Sequence, residues 1–97
     1  MSRQALPKDY KLQASIPLWK LEGIQISREF IFKDFKEAFA FMILCAQYAE
    51  EIDHHPDWSN SWNKVVVHLS THSAKALTEL DIQMAKAMDI FALRVQT

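Results

Sequence analysis

The chain has one glycine, one cysteine and three prolines among its 97 residues. So little glycine and proline excludes a collagen-like or linker-rich polymer, and the lone Cys45 excludes an internal disulfide framework. Long apolar runs are missing too: none reaches the roughly eighteen residues of a membrane span, and Met1 to Gln4 lead into no signal-peptide hydrophobic segment. The expectation is a cytoplasmic protein with no membrane partner. Charge of one sign is also lacking, since 11 Lys and Arg against 12 Asp and Glu leave a formal net charge of -1. Without a basic surplus to neutralise phosphates, direct nucleic-acid binding is not expected.

What remains is globular material, 49% hydrophobic and 24% charged. At this length the chain forms one domain, residues 1–97, and buries about two-thirds of its unfolded surface. No internal repeat or low-complexity segment divides it. Cys45 sits in a helical apolar pattern, where it acts as a small buried hydrophobe.

Two short strands are expected at Trp19 to Gln25 and Ser27 to Lys33, paired as a hairpin, with Phe30 and Phe32 on one face of the second. Asp34 can then cap a helix, because its carboxylate can accept a backbone N–H from the first turn. Phe35, Ala38, Phe39, Met42, Ala46 and Ala49 follow at helical spacing and form the expected core face. The helix should stop near His55, since Pro56 cannot continue the hydrogen-bond ladder. Trp62 to Leu69 alternates like a strand, with Val65, Val67 and Leu69 on one face, and Asp57 to Ser61 can supply a short partner. Thr78 and Asp81 resemble a capping box opening a C-terminal helix on Ile82, Ala85, Met88, Ala92 and Val95.

Three of the four histidines fall in two places, the run Glu50-Glu51-Ile52-Asp53-His54-His55-Pro56 and the run Ser70-Thr71-His72. Histidine changes charge near neutral pH and can both take and give a proton there, so the cluster points to proton-transfer chemistry. On a helix ending at His55, Glu50 and His54 share a face and His55 points elsewhere, so the adjacent histidines can line two walls of one pocket. His72 falls in a connection between strand and helix, where scaffolds display functional groups. His68 reads as a surface strand residue.

Glu50, three residues, His54-His55-Pro56, five residues, Trp62, nine residues, His72, eight residues and Asp81 make up a spacing that resembles the signature of the pterin-4a-carbinolamine dehydratases. Arg28-Glu29-Phe30, Phe32-Lys33-Asp34-Phe35, Asn63-Lys64-Val65 and Leu69-Ser70-Thr71-His72 extend the likeness from about Trp19 onward. The resemblance implies an α+β fold with a single four-stranded antiparallel sheet and about three helices on one face, assembled as a homodimer or homotetramer. It implies a hydro-lyase that converts 4a-hydroxytetrahydropterin to quinonoid dihydropterin and water, recycling tetrahydropterin without a metal or other cofactor. By position it implies His54 and His72 as acid and base, His55 as their partner and Glu50 as the residue that orients a histidine. Pro56 would shape the substrate wall, and Thr71, His72, Ser73 and Ala74 would offer backbone and hydroxyl groups to the pterin edge.

Each role has a plainer rival. A His-His-Pro helix end and an exposed turn histidine are ordinary features, Glu50 can be a solvated helix residue, and Trp58 and Trp62 can be packing residues instead of aromatic walls. Glu50, His54, His55 and His72 could in principle ligate zinc, but His-Glu-x-x-His and paired cysteines are absent. A second class of function is a dimerisation cofactor or scaffold for a transcription factor or other protein, which the resemblance also admits.

Overall fold

The computed structural model describes residues 3–97. The elements run α1 (Leu12–Ser15), β1 (Lys20–Glu22), β2 (Gln25–Ile31), α2 (Phe35–Ile52), β3 (Asp57–Ser61), β4 (Lys64–Leu69) and α3 (Glu79–Gln96). The strands form one antiparallel sheet in the order β1-β2-β4-β3. The fold is therefore the expected α+β architecture.

Strand boundaries follow the turns. Gly23, at φ 64°, makes the β1–β2 reversal, so the turn falls earlier than the expected break between Gln25 and Ser27. Trp62, at φ 50°, belongs to the β3–β4 turn and not to the strand. The Asn60 side-chain amide donates there to the carbonyls of Trp62 (3.2 Å) and Lys64 (2.9 Å), which holds a non-glycine residue in left-handed backbone.

In the sheet centre Ile26 pairs with Leu69, Arg28 with Val67 and Phe30 with Val65. The two-residue strand period sends all six side chains to one face. Five of them are buried apolar residues that join Ala38, Phe41, Cys45 and Ala49 of α2 and Ile82, Met84, Ala85, Met88 and Ala92 of α3 in one core. Arg28 is the exception. It forms an ion pair with Asp89 of α3, lies 4.2 Å from the Phe30 ring centre, and shares the Asp89 carboxylate with the Trp19 indole N–H at 2.9 Å.

The buried face of α2 differs from expectation. Ala38 and Ala49 are buried as read from the sequence, but Phe41 and Cys45 complete the stripe, while Phe35 and Phe39 are each 47% exposed and Ala46 is exposed. This helix is apolar over most of its circumference, so periodicity alone did not orient it. Asp34 caps α2 by accepting the Glu37 N–H at 2.9 Å, as its position implied. The C-terminus arrives earlier than expected: Asp53 adopts left-handed backbone (φ 52°, ψ 48°) and its N–H returns to the Ala49 carbonyl. His54 is thus already outside the helix.

Candidate active site

The pairing of β3 with β4 assembles the site. Asp57 opens β3 opposite His68 near the end of β4, so the connection before β3 and the one after β4 emerge side by side. The first connection carries His54 and His55 and the second carries His72. Together with Arg3, Asp53, Ser70 and Ser73 they line a cleft of about 290 Å³. A larger hollow of about 500 Å³, between the Leu6 to Leu12 segment and the Gly23 turn, holds no histidine or carboxylate.

His54 is buried, and its Nε2 lies 2.6 Å from Oδ1 of Asp81, a residue with no solvent exposure. Asp81 Oδ2 accepts the Thr71 hydroxyl at 2.8 Å and the Thr78 backbone N–H at 2.9 Å. The Thr78 hydroxyl lies 2.6 Å from that of Thr71 and accepts the Leu80 N–H. With the carboxylate as acceptor throughout, Nε2 of His54 carries the hydrogen of its bond, and the lone pair of the neutral ring sits on Nδ1. No buried side-chain polar atom among the described residues lacks a partner, so Nδ1, which no protein group bonds, is not fully enclosed, and the His54 residue lines the cleft. The fold thus selects one tautomer and leaves Nδ1 as its basic nitrogen.

One carboxylate serves both a helix cap and the buried histidine. Asp81 completes the capping box of α3 with Thr78, as the sequence implied, and the same carboxylate holds His54. From local sequence Asp81 is expected only as a cap. Its place in the motif was a signal, but a bond across 27 positions depends on how α3 seats against the α2–β3 connection.

Glu50 meets a different histidine from the one its spacing suggested. The left-handed turn at Asp53 breaks the i, i+4 relation with His54, and Glu50 Oε2 instead lies 2.6 Å from His55 Nε2 in an exposed pair. His72 and Ser73 project from a tight turn closed by the Thr71 N–H to the Ala76 carbonyl (3.1 Å) and the Lys75 N–H to the His72 carbonyl (3.1 Å). Both side chains are exposed on the cleft.

Three expected contributors are not among the residues that line the cleft. Thr71 is buried and directs its hydroxyl to Asp81, away from the cleft; Pro56 and Ala74 are half-buried and do not line it. Trp58 packs against the core, and Trp62 stands 63% exposed at the opposite end of the β3–β4 hairpin. His68 lies on the outer sheet face, its Nδ1 3.4 Å from the Gln25 amide. No group of three or more His, Cys, Asp or Glu among the described residues is arranged to hold a metal ion.

Comparison with known proteins matches residues 3–91 to the family model of pterin 4 alpha carbinolamine dehydratase. The chain belongs to this family. A protein of Brucella ovis that provisionally carries the dehydratase name is 53% identical over 74 residues, covering 75% of this chain and 76% of the relative. One from Synechococcus sp., likewise named, is 45% identical over 78 residues, covering 80% and 84%. A crystal structure of a transcriptional coactivator/pterin dehydratase from Brucella melitensis superposes with a TM-score of 0.84 at 42% identity, covering 92% of this chain and 99% of that one. A pterin dehydratase-like protein described as a RuBisCO assembly factor in the alpha-carboxysome shares the fold, with a TM-score of 0.65 at 21% identity over 76% and 86% of the two chains. For this pterin-dehydratase-family chain, no helix among the described residues is long and apolar enough to cross a membrane.

Proposed function

We propose that this chain dehydrates 4a-hydroxytetrahydropterin to quinonoid dihydropterin, as a cytoplasmic hydro-lyase that recycles tetrahydropterin. The observation that carries the reading is the buried Asp81–His54 contact facing a cleft that also holds His72. In the reaction the C4a–O bond breaks and the hydroxyl leaves with a proton as water, N5 loses its proton, and a C4a–N5 double bond forms. One group must donate and another must accept. His54, with Nδ1 open and Nε2 tied to a carboxylate, can take a proton while Asp81 stabilises the resulting imidazolium. His72, exposed on the other wall, can exchange the second. His55, paired with Glu50 at the cleft mouth, orients the ligand or shares protons.

The test is a spectroscopic dehydratase assay on enzymatically generated 4a-hydroxytetrahydropterin, comparing the parent chain with His54→Ala and His72→Ala. Losses of about 10² to 10⁴ are expected for each general acid–base group. Turnover like the parent's in both variants would refute these roles.

A second reading has its own observation. Phe35, Phe39 and Ile43 form an exposed apolar stripe along α2, 47 to 48% exposed, with the two Phe rings 5.6 Å apart. Such a face favours a protein partner. We assign it first to a homodimer or homotetramer and second to a dimerisation-cofactor role, which the coactivator name of the Brucella melitensis neighbour supports.

A further inference from the structure

The N-terminal segment delivers a cation to the cleft, and the proton-transfer scheme does not use it. Leu6 packs against the core and its N–H bonds the Leu77 carbonyl at 2.9 Å, which pins the segment beside the connection that carries His72. Arg3 then reaches across to the other wall. Its Nη2 donates to the Asp53 carbonyl at 2.6 Å and stands 3.8 Å from the Asp53 carboxylate. A guanidinium has five N–H donors in a fixed plane, and no other bond to Arg3 is formed among the described residues, so most of that donor edge faces outward.

Asp53 is held differently. Its left-handed backbone caps α2, and its side chain is 89% exposed. The cleft mouth therefore presents a planar donor and a carboxylate acceptor side by side, next to His54 and His55.

A ligand that matches this arrangement offers an acceptor next to a donor. The lactam edge of a pterin, the C4 carbonyl and the adjacent N3–H, is such a group. C4 is bonded directly to C4a, so a ring with C4a and N5 against the histidines carries its C4 oxygen only two bonds from the reacting carbon. An anionic substituent fits less well, because the Asp53 and Glu50 carboxylates share the mouth and would repel it.

We propose that Arg3 is a substrate-binding residue whose guanidinium, set beside the Asp53 carboxylate, holds the lactam edge of the pterin ring. The proposal rests on the dehydratase reading for its substrate, but it concerns binding and not proton transfer. Arg3 acts on the ground state and the transition state alike, so its loss falls on KM.

The experiment compares the parent chain, Arg3→Met and Arg3→Lys on two 4a-hydroxytetrahydropterins, one with a neutral 6-methyl group and one whose C6 substituent ends in carboxylates. Arg3→Met should raise KM about tenfold for both substrates, the effect of one charge-assisted hydrogen bond. Arg3→Lys should recover part of the loss, since it keeps the charge without the planar fork. Unchanged KM for both substrates overturns the proposal, and a penalty confined to the carboxylate-bearing substrate overturns the lactam assignment. If the parent does not turn over, the dehydratase reading fails by itself, and calorimetric binding of a dihydropterin decides on Arg3. Binding about tenfold weaker in Arg3→Met upholds it; equal affinity, or no binding by the parent, overturns it. Unchanged thermal midpoints exclude misfolding, and Arg3→Lys gives the deciding comparison if the Met variant's midpoint falls.

Discussion

Nε2 of His54 lies 2.6 Å from Oδ1 of Asp81, and neither side chain is open to bulk water over more than a few per cent of its surface. The carboxylate also closes the N-terminus of α3, so the orientation of the histidine and the start of the last helix depend on one residue.

Asp81→Asn tests that double duty. An amide offers donors where His54, Thr71 and Thr78 already donate, so a mismatched buried polar group should cost about 1 to 3 kcal/mol of stability. Loss of tautomer control should lower kcat by ~10² to 10⁴. Chemical denaturation and steady-state kinetics measure the two effects separately. A variant that loses stability but keeps the parent's kcat and pH–rate profile would reduce Asp81 to a cap.

Glu50 and His55 should behave in the opposite way. Their side chains are 79% and 55% exposed, and an exposed ion pair contributes about 0 to 1 kcal/mol. Glu50→Gln is therefore expected to leave the denaturation midpoint almost unchanged and to reduce turnover less than His54→Ala does. Equal kinetic losses in the two variants would contradict the separation between a buried oriented histidine and an exposed assisted one.

Burial pushes the Cys45 thiol far above its ordinary range. The folded state keeps the proton where the unfolded chain has released it, so this group's contribution to stability is intact below the ordinary thiol pKa. It declines as pH rises above that value. Denaturation midpoints at about pH 8 and about pH 10 should differ by more in the parent than in Cys45→Ala. Native Cys45 should also resist alkylation until the protein is unfolded.

The α2 stripe gives a prediction about mass. If Phe35, Phe39 and Ile43 meet a second copy, Phe39→Glu places a charge in that contact. Light scattering should then show a shift from an oligomer toward the 11.3 kDa chain while the helical circular dichroism signal persists. An unchanged oligomer would move the interface elsewhere.

The fold was legible where local physics decides. Asp34 and Thr78 announced both long helices through their capping chemistry, and the alternation of Val65, Val67 and Leu69 placed a strand face in the core. The candidate site was legible to the extent that three histidines at motif spacing line one cleft. The rotation of α2 was not, because Phe35 and Phe39 are as apolar as the Phe41 that replaces them in the core. Glu50 does not share a face with His54 as expected, because an i, i+4 rule assumes unbroken helix and the left-handed Asp53 ends it.

By itself the sequence determined which residues could move protons, where the helices begin, and which family spacing the histidines keep, since composition, caps and motif intervals are local properties of the chain. Tertiary structure alone decided that Asp81 holds His54, that Thr71 turns inward, and that Arg3 reaches the cleft beside Asp53. Those contacts join residues 27, 10 and 50 positions apart. Their geometry follows from the β3–β4 register, the seating of α3 and the docking of the N-terminal segment through Leu6, and none of these is written in any short stretch of sequence.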